Sequence, residues 1–171
     1  MRPNAAVLAA LASLPLAGCG DLFALRVEEP SLCLTLEEQS FPGADFELHT
    51  KELSYDLSPA LPEEAKDDDV EFEVQLTSFE IRPRGDTRNL DFLRAAELRL
   101  VDGDQEVPVA TYRAGDADTA AFTVDEDRDI GDAVKKADLR FVLEVSGDLP
   151  DTAWSADAEA CFHVVSRIHY F

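Results

Sequence analysis

The chain has 171 residues, enough for one domain that buries roughly 68–70% of its unfolded surface, and its 46% hydrophobic content excludes wholesale disorder. Acidic side chains number 36 against 15 basic ones, for a formal charge of −21. A body of that sign repels nucleic acid and anionic lipid head groups, so a nucleic-acid partner is excluded.

Residues 1–18 read as a removable leader. Arg2 supplies the positive start, and Ala5 to Ala17 is an apolar run too short to span a bilayer as a helix. The run closes with Leu16-Ala17-Gly18-Cys19. This resembles the lipobox of bacterial lipoproteins, in which small residues precede a cysteine that becomes the first mature residue. The resemblance implies diacylglyceryl attachment to the Cys19 thiol, cleavage before Cys19 and acylation of the new amine. Two or three acyl chains give durable anchoring where one gives marginal binding. Gly20 follows the cysteine, with Asp21 after it. In enteric bacteria an aspartate directly after the cysteine retains lipoproteins at the inner membrane, so the resemblance implies the outer membrane.

Residues 19–30 then form a lipidated N-terminus with a short tether, and 31–171 form the folded domain. Extended, residues 20–30 reach only about 36 Å, which keeps the domain close to the bilayer.

Period-two alternation predicts strands along the rest of the chain. Leu32, Leu34 and Leu36 alternate with Cys33, Thr35 and Glu37. Ala44, Phe46 and Leu48 follow, and the phase then flips to Leu53, Tyr55 and Leu57, which predicts a bulge or turn near His49–Glu52. Val70, Phe72, Val74 and Leu76 flip in turn to Phe79 and Ile81. Asn89 caps an expected short helix over Leu90–Ala96. Ala96, Leu98 and Leu100 lead into the hairpin turn Asp102-Gly103-Asp104, and Val107, Val109 and Thr111 return from it. Phe122 and Val124 make a short strand, and Asp129 caps a turn or two through Lys136. Leu139, Phe141, Leu143 and Val145 alternate cleanly, and Phe162, Val164, Ile168 and Tyr170 mark one face of a long last strand. About eight strands with one or two helical turns predict an all-β fold: a single antiparallel sandwich, immunoglobulin-like in outline, with a small barrel as the alternative.

With Cys19 taken by lipid, Cys33 and Cys161 remain. Each lies opposite the apolar row of its strand, which suits a bridge between neighbouring first and last strands in an exported protein. Closing a loop of that length stabilises by roughly 2–4 kcal/mol. The rival is a reactive or metal-binding thiol, because Glu159, Cys161, His163 and His169 share one strand parity.

Asp125, Asp127 and Asp129 begin like an EF-hand loop, but Ile130 replaces its glycine and Lys136 its bidentate glutamate. A true EF-hand is excluded. Asp102, Asp104, Asp116 and Asp118 join these three as candidate calcium ligands in a different loop site, against the plainer reading of turn chemistry and a solvated surface. Trp154 lies in the expected loop Pro150–Ala156 and is a candidate for stacking on a sugar. No Gly-x-Ser-x-Gly, His-Glu-x-x-His, phosphate-loop or dinucleotide motif is present. The expectation is a non-enzymatic envelope lipoprotein with an envelope protein as partner; the alternative is a calcium- or glycan-binding module.

Overall fold

The computed structural model describes residues 24–57, 70–115, 118–135 and 139–169. The leader, Cys19 and Asp116 lie outside them. Among the described residues, nine strands and one helical turn follow in order: β1 (Ala24–Phe41), β2 (Thr50–Tyr55), β3 (Val70–Pro83), β4 (Leu93–Asp102), β5 (Gln105–Arg113), β6 (Ala120–Ala121), β7 (Thr123–Val124), α1 (Gly131–Lys135), β8 (Leu139–Gly147) and β9 (Trp154–His169). They form two antiparallel sheets, β1-β9-β3-β6 and β2-β8-β4-β5-β7.

The pairing is nested. β1 pairs with β9, β2 with β8, β3 with β6, and β4 with β5. The innermost hairpin closes on Gly103 and Asp104, with Asp102 opposite Gln105. Gly103 takes a φ of +61 at the first central place, where a side chain would be strained. A nested hairpin wound into two facing sheets is a jelly roll. The all-β antiparallel sandwich is thus the one expected, and the chain's path between its sheets is a jelly roll's.

Alternation builds the core between the sheets. Leu53 and Tyr55 of β2, Leu98 of β4, and Leu139, Phe141, Leu143 and Val145 of β8 face inward. They meet Val74, Leu76, Phe79 and Ile81 of β3 and Ala156, Ala158, Ala160 and Phe162 of β9. The small β9 residues leave room for the Tyr55 ring, which stands edge-on to Phe141 and Phe162 at 6.0 and 6.2 Å. Phe122 is buried between the two-residue strands β6 and β7, where the chain passes from one sheet to the other.

Each phase flip has a local cause. Leu76 pairs with Phe162 and Ser78 with Cys161, so Thr77 is the extra residue of a bulge and returns Phe79 and Ile81 to the core. Another bulge in β5, at Val109, turns Thr111 outward and Tyr112 inward, contrary to the expected Val107, Val109, Thr111 face. The expected strand through Ala44, Phe46 and Leu48 is a loop. There the chain turns under residues 150–152, with the Ala44 N–H on the Pro150 carbonyl at 2.7 Å, and leaves Phe46 48% and Leu48 71% exposed.

Two further expectations change. The helix over Leu90–Ala96 is one turn, closed by the Leu93 N–H on the Leu90 carbonyl at 2.8 Å. From Leu93 the chain is held as β4 between β5 and β8, and ladders on both sides override helix propensity. The folded part also begins before residue 31, because β1 already pairs with β9 at Ala24 and His169.

Candidate functional site

The outer face of the β1-β9-β3 sheet carries a disulfide and a row of cross-strand polar contacts. Cys33 lies directly opposite Cys161, with Cα atoms 4.0 Å apart, and the two form a disulfide. So short a separation marks a non-hydrogen-bonded antiparallel pair, where side chains approach closest. The bridge takes Cys161 out of the thiol chemistry that its parity with Glu159 and His163 allowed.

Those neighbours are engaged elsewhere. Glu159 accepts from Thr35 Oγ1 at 3.2 Å and from Arg82 at 3.4 Å, while Arg82 also holds Glu80 at 2.6 Å. Asp157 binds Arg84 at 2.7 Å and accepts the Glu38 N–H at 2.9 Å. His163 Nε2 lies 3.1 Å from Glu28. These half-exposed pairs fix register more than stability, since exposed ion pairs contribute about 0.2–1 kcal/mol each. Nothing in the sequence pairs these arginines with their acids; only the strand register does.

Trp154 is not a sugar platform. It opens β9, is 4% exposed, stacks on Phe41 at 4.5 Å and meets Phe92 edge-on at 5.1 Å. Its Nε1–H donates to the Pro42 carbonyl at 3.0 Å. With the ring almost wholly buried and its polar tip occupied, no ring surface remains for a ligand.

The candidate calcium ligands among the described residues are dispersed. Asp102 and Asp104 flank the β4–β5 turn, Asp118 precedes β6, and Asp125 pairs with Arg128 at 3.2 Å. Asp127 is exposed on the turn that follows. Asp129 works as a structural tie. Its Oδ1 accepts the N–H groups of Val74 and Gly131, each at 2.9 Å, and so fastens the start of α1 to β3. Among the described residues, no three His, Cys, Asp or Glu side chains gather where they would hold a metal ion.

On the outer face of the other sheet, a shallow depression of about 220 Å³ is lined by Glu97, Arg99, Thr111, Arg113, Glu144 and Ser146. Arg99 fills much of its polar capacity, reaching Glu97 at 2.5 Å and Glu144 at 2.6 Å. The Glu97 hydrogen bond first, then Glu144, raise its pKa above the ordinary value, while desolvation acts against them. In the interior, burial pushes the Tyr55 phenol well above its ordinary value, with the Glu159 charge adding to it; its hydroxyl donates to the Ala158 carbonyl at 3.1 Å. Neither constellation aligns a nucleophile with a base.

No family model and no curated protein matches the chain. Among solved structures, it is similar to a chain from the three-dimensional structure of Cocksfoot mottle virus, at 16% identity and a TM-score of 0.38, over 100% of this chain and 95% of that one.

Proposed function

We propose that this chain is a cell-envelope lipoprotein, held on a membrane by lipid on Cys19, whose jelly roll is a non-enzymatic interaction module. The observation that carries the reading is the order of Arg2, the apolar run and Leu16-Ala17-Gly18-Cys19, placed five residues ahead of the first strand. Such a link spans at most about 18 Å, so the Ala24 end of β1 stays beside the bilayer. A bridged Cys33 and Cys161 suits an oxidising compartment. The acidic surface keeps the body off anionic head groups, leaving fat as the attachment. The outer membrane is the favoured address, from Gly20 after the lipidated cysteine.

Metabolic labelling with a palmitate analogue in a bacterial host tests the anchor. The wild-type chain takes the label and stays with membranes in high salt; Cys19→Ala does neither. Label on Cys19→Ala, or release of the wild type by salt, overturns it. Turnover of esters, peptides or glycans that disappears with a single substitution overturns the non-enzymatic part.

A further inference from the structure

β1 is an edge strand. β9 pairs with one side of it, and among the described residues no strand pairs with the other. Which groups of β1 point outward follows from β9. The Ser155 carbonyl accepts from Arg84 N–H, and the Cys161 carbonyl from Thr77 Oγ1, so the odd-numbered residues of β9 direct their backbone toward β3. Cys161 and Glu159 therefore do not bond the backbone of their β1 partners, in agreement with the 4.0 Å Cα separation of the disulfide. The N–H and C=O groups of Cys33 and Thr35 consequently face the outer edge.

That edge is blocked on both sides of a short window. Register shifts fall between Glu29 and Leu32, around Pro30, and between Leu36 and Gln39, where Glu38 takes a φ of +50. Proline, bulges and charge are what edges carry to prevent indiscriminate pairing. Leu32 to Leu36 has none of them. On its inner side Leu32, Leu34 and Leu36 are only partly buried against the core, a row that a further strand would cover.

We propose that Leu32–Leu36 receives an extended segment of a protein partner as an added strand, the segment being apolar at alternate positions and basic at both ends. Main-chain bonds to Cys33 and Thr35 supply affinity, and the leucine row reads alternate side chains. Basic ends meet Glu29 on one side of the window and Glu37 and Glu38 on the other, all exposed. A second copy of this chain fits worse. It brings another −21 body to the edge, and antiparallel pairing about Leu34 sends the two N-terminal ends in opposite directions. This inference deepens the interaction role proposed above and rests on it, but not on the lipid.

The test is hydrogen exchange on the full chain in detergent, with the peptide Lys-Lys-Val-Thr-Val-Thr-Val-Lys-Lys as probe. Binding slows exchange at the Cys33 and Thr35 amides and leaves Leu34, already bonded to β9, unchanged. Thr35→Pro removes an outward N–H without touching the β9 ladder and weakens binding about tenfold; Thr35→Val retains it. A glutamate-ended peptide does not bind. Absence of binding, protection elsewhere, or the same protection arising without peptide through self-association overturns the inference. Palmitate labelling and membrane retention are read separately, so loss of the anchor and loss of the edge site are distinct results.

Discussion

Phe41 and Trp154 face each other in the β1–β9 register and stack with ring centroids 4.5 Å apart and planes 17° from parallel. The pair closes the sandwich at the end far from Ala24. There the Pro42 carbonyl takes the indole N–H, and Gly43 lets the chain pass under Thr152. A Cβ on Gly43 would lie 2.2 Å from the Thr152 carbonyl oxygen, so the turn admits no larger residue.

Trp154→Ala is expected to destabilise by about 3–5 kcal/mol, the usual cost of emptying a large aromatic site. Urea melts followed by far-ultraviolet dichroism measure it. Because Trp154 is the one tryptophan, its native emission is blue-shifted and stays unchanged across a panel of glycans. A red-shifted native emission contradicts its burial.

Tyr55 makes stability fall at alkaline pH. Its folded pKa is raised above the ordinary 10.0, chiefly by burial. The contribution is whole below pH 10 and is lost as pH rises above 10 toward the raised folded value. Tyr55→Phe flattens this alkaline limb and, through the lost bond to the Ala158 carbonyl, costs about 1 kcal/mol at neutral pH. Melting temperature across pH 8 to 11.5 reads both effects.

Asp129→Ala leaves the N–H groups of Val74 and Gly131 without their shared acceptor. The expected loss is about 1–3 kcal/mol, from a buried donor and a helix start together. Asp127→Ala, on the exposed turn beside it, changes stability by less than about 0.5 kcal/mol. Chemical denaturation of both variants distinguishes a structural aspartate from a metal ligand.

Added salt stabilises the chain by screening its −21 charge. Calcium and magnesium at matched ionic strength produce equal shifts in melting temperature, because the candidate aspartates among the described residues do not converge. A calcium-specific shift contradicts this.

Much of this fold is legible in the sequence because the sheets are wet on one side. Alternation places β3, β8 and the later part of β4 and assigns their inward rows, and the parity of Cys33 and Cys161 anticipates their bridge. The jelly-roll path is hidden, since it depends on which distant strands pair. Ala44, Phe46 and Leu48 alternate as well as any strand, yet hydrogen bonds to residues 150 and 151 hold them in a loop. The bulge at Val109 leaves no mark in composition. Trp154 misleads for a similar reason: its partners Phe41, Pro42 and Phe92 come together only when β1, β4 and β9 are in place. The edge window is readable only after the register is known.

Lipid attachment at Cys19 is tested most directly by intact-mass and N-terminal analysis of the protein purified from bacterial membranes. The predicted product is a polypeptide that starts at Cys19 and carries the added mass of a diacylglyceryl group and an amide-linked acyl chain. A product that begins at Met1, or a Cys19 without lipid, contradicts it.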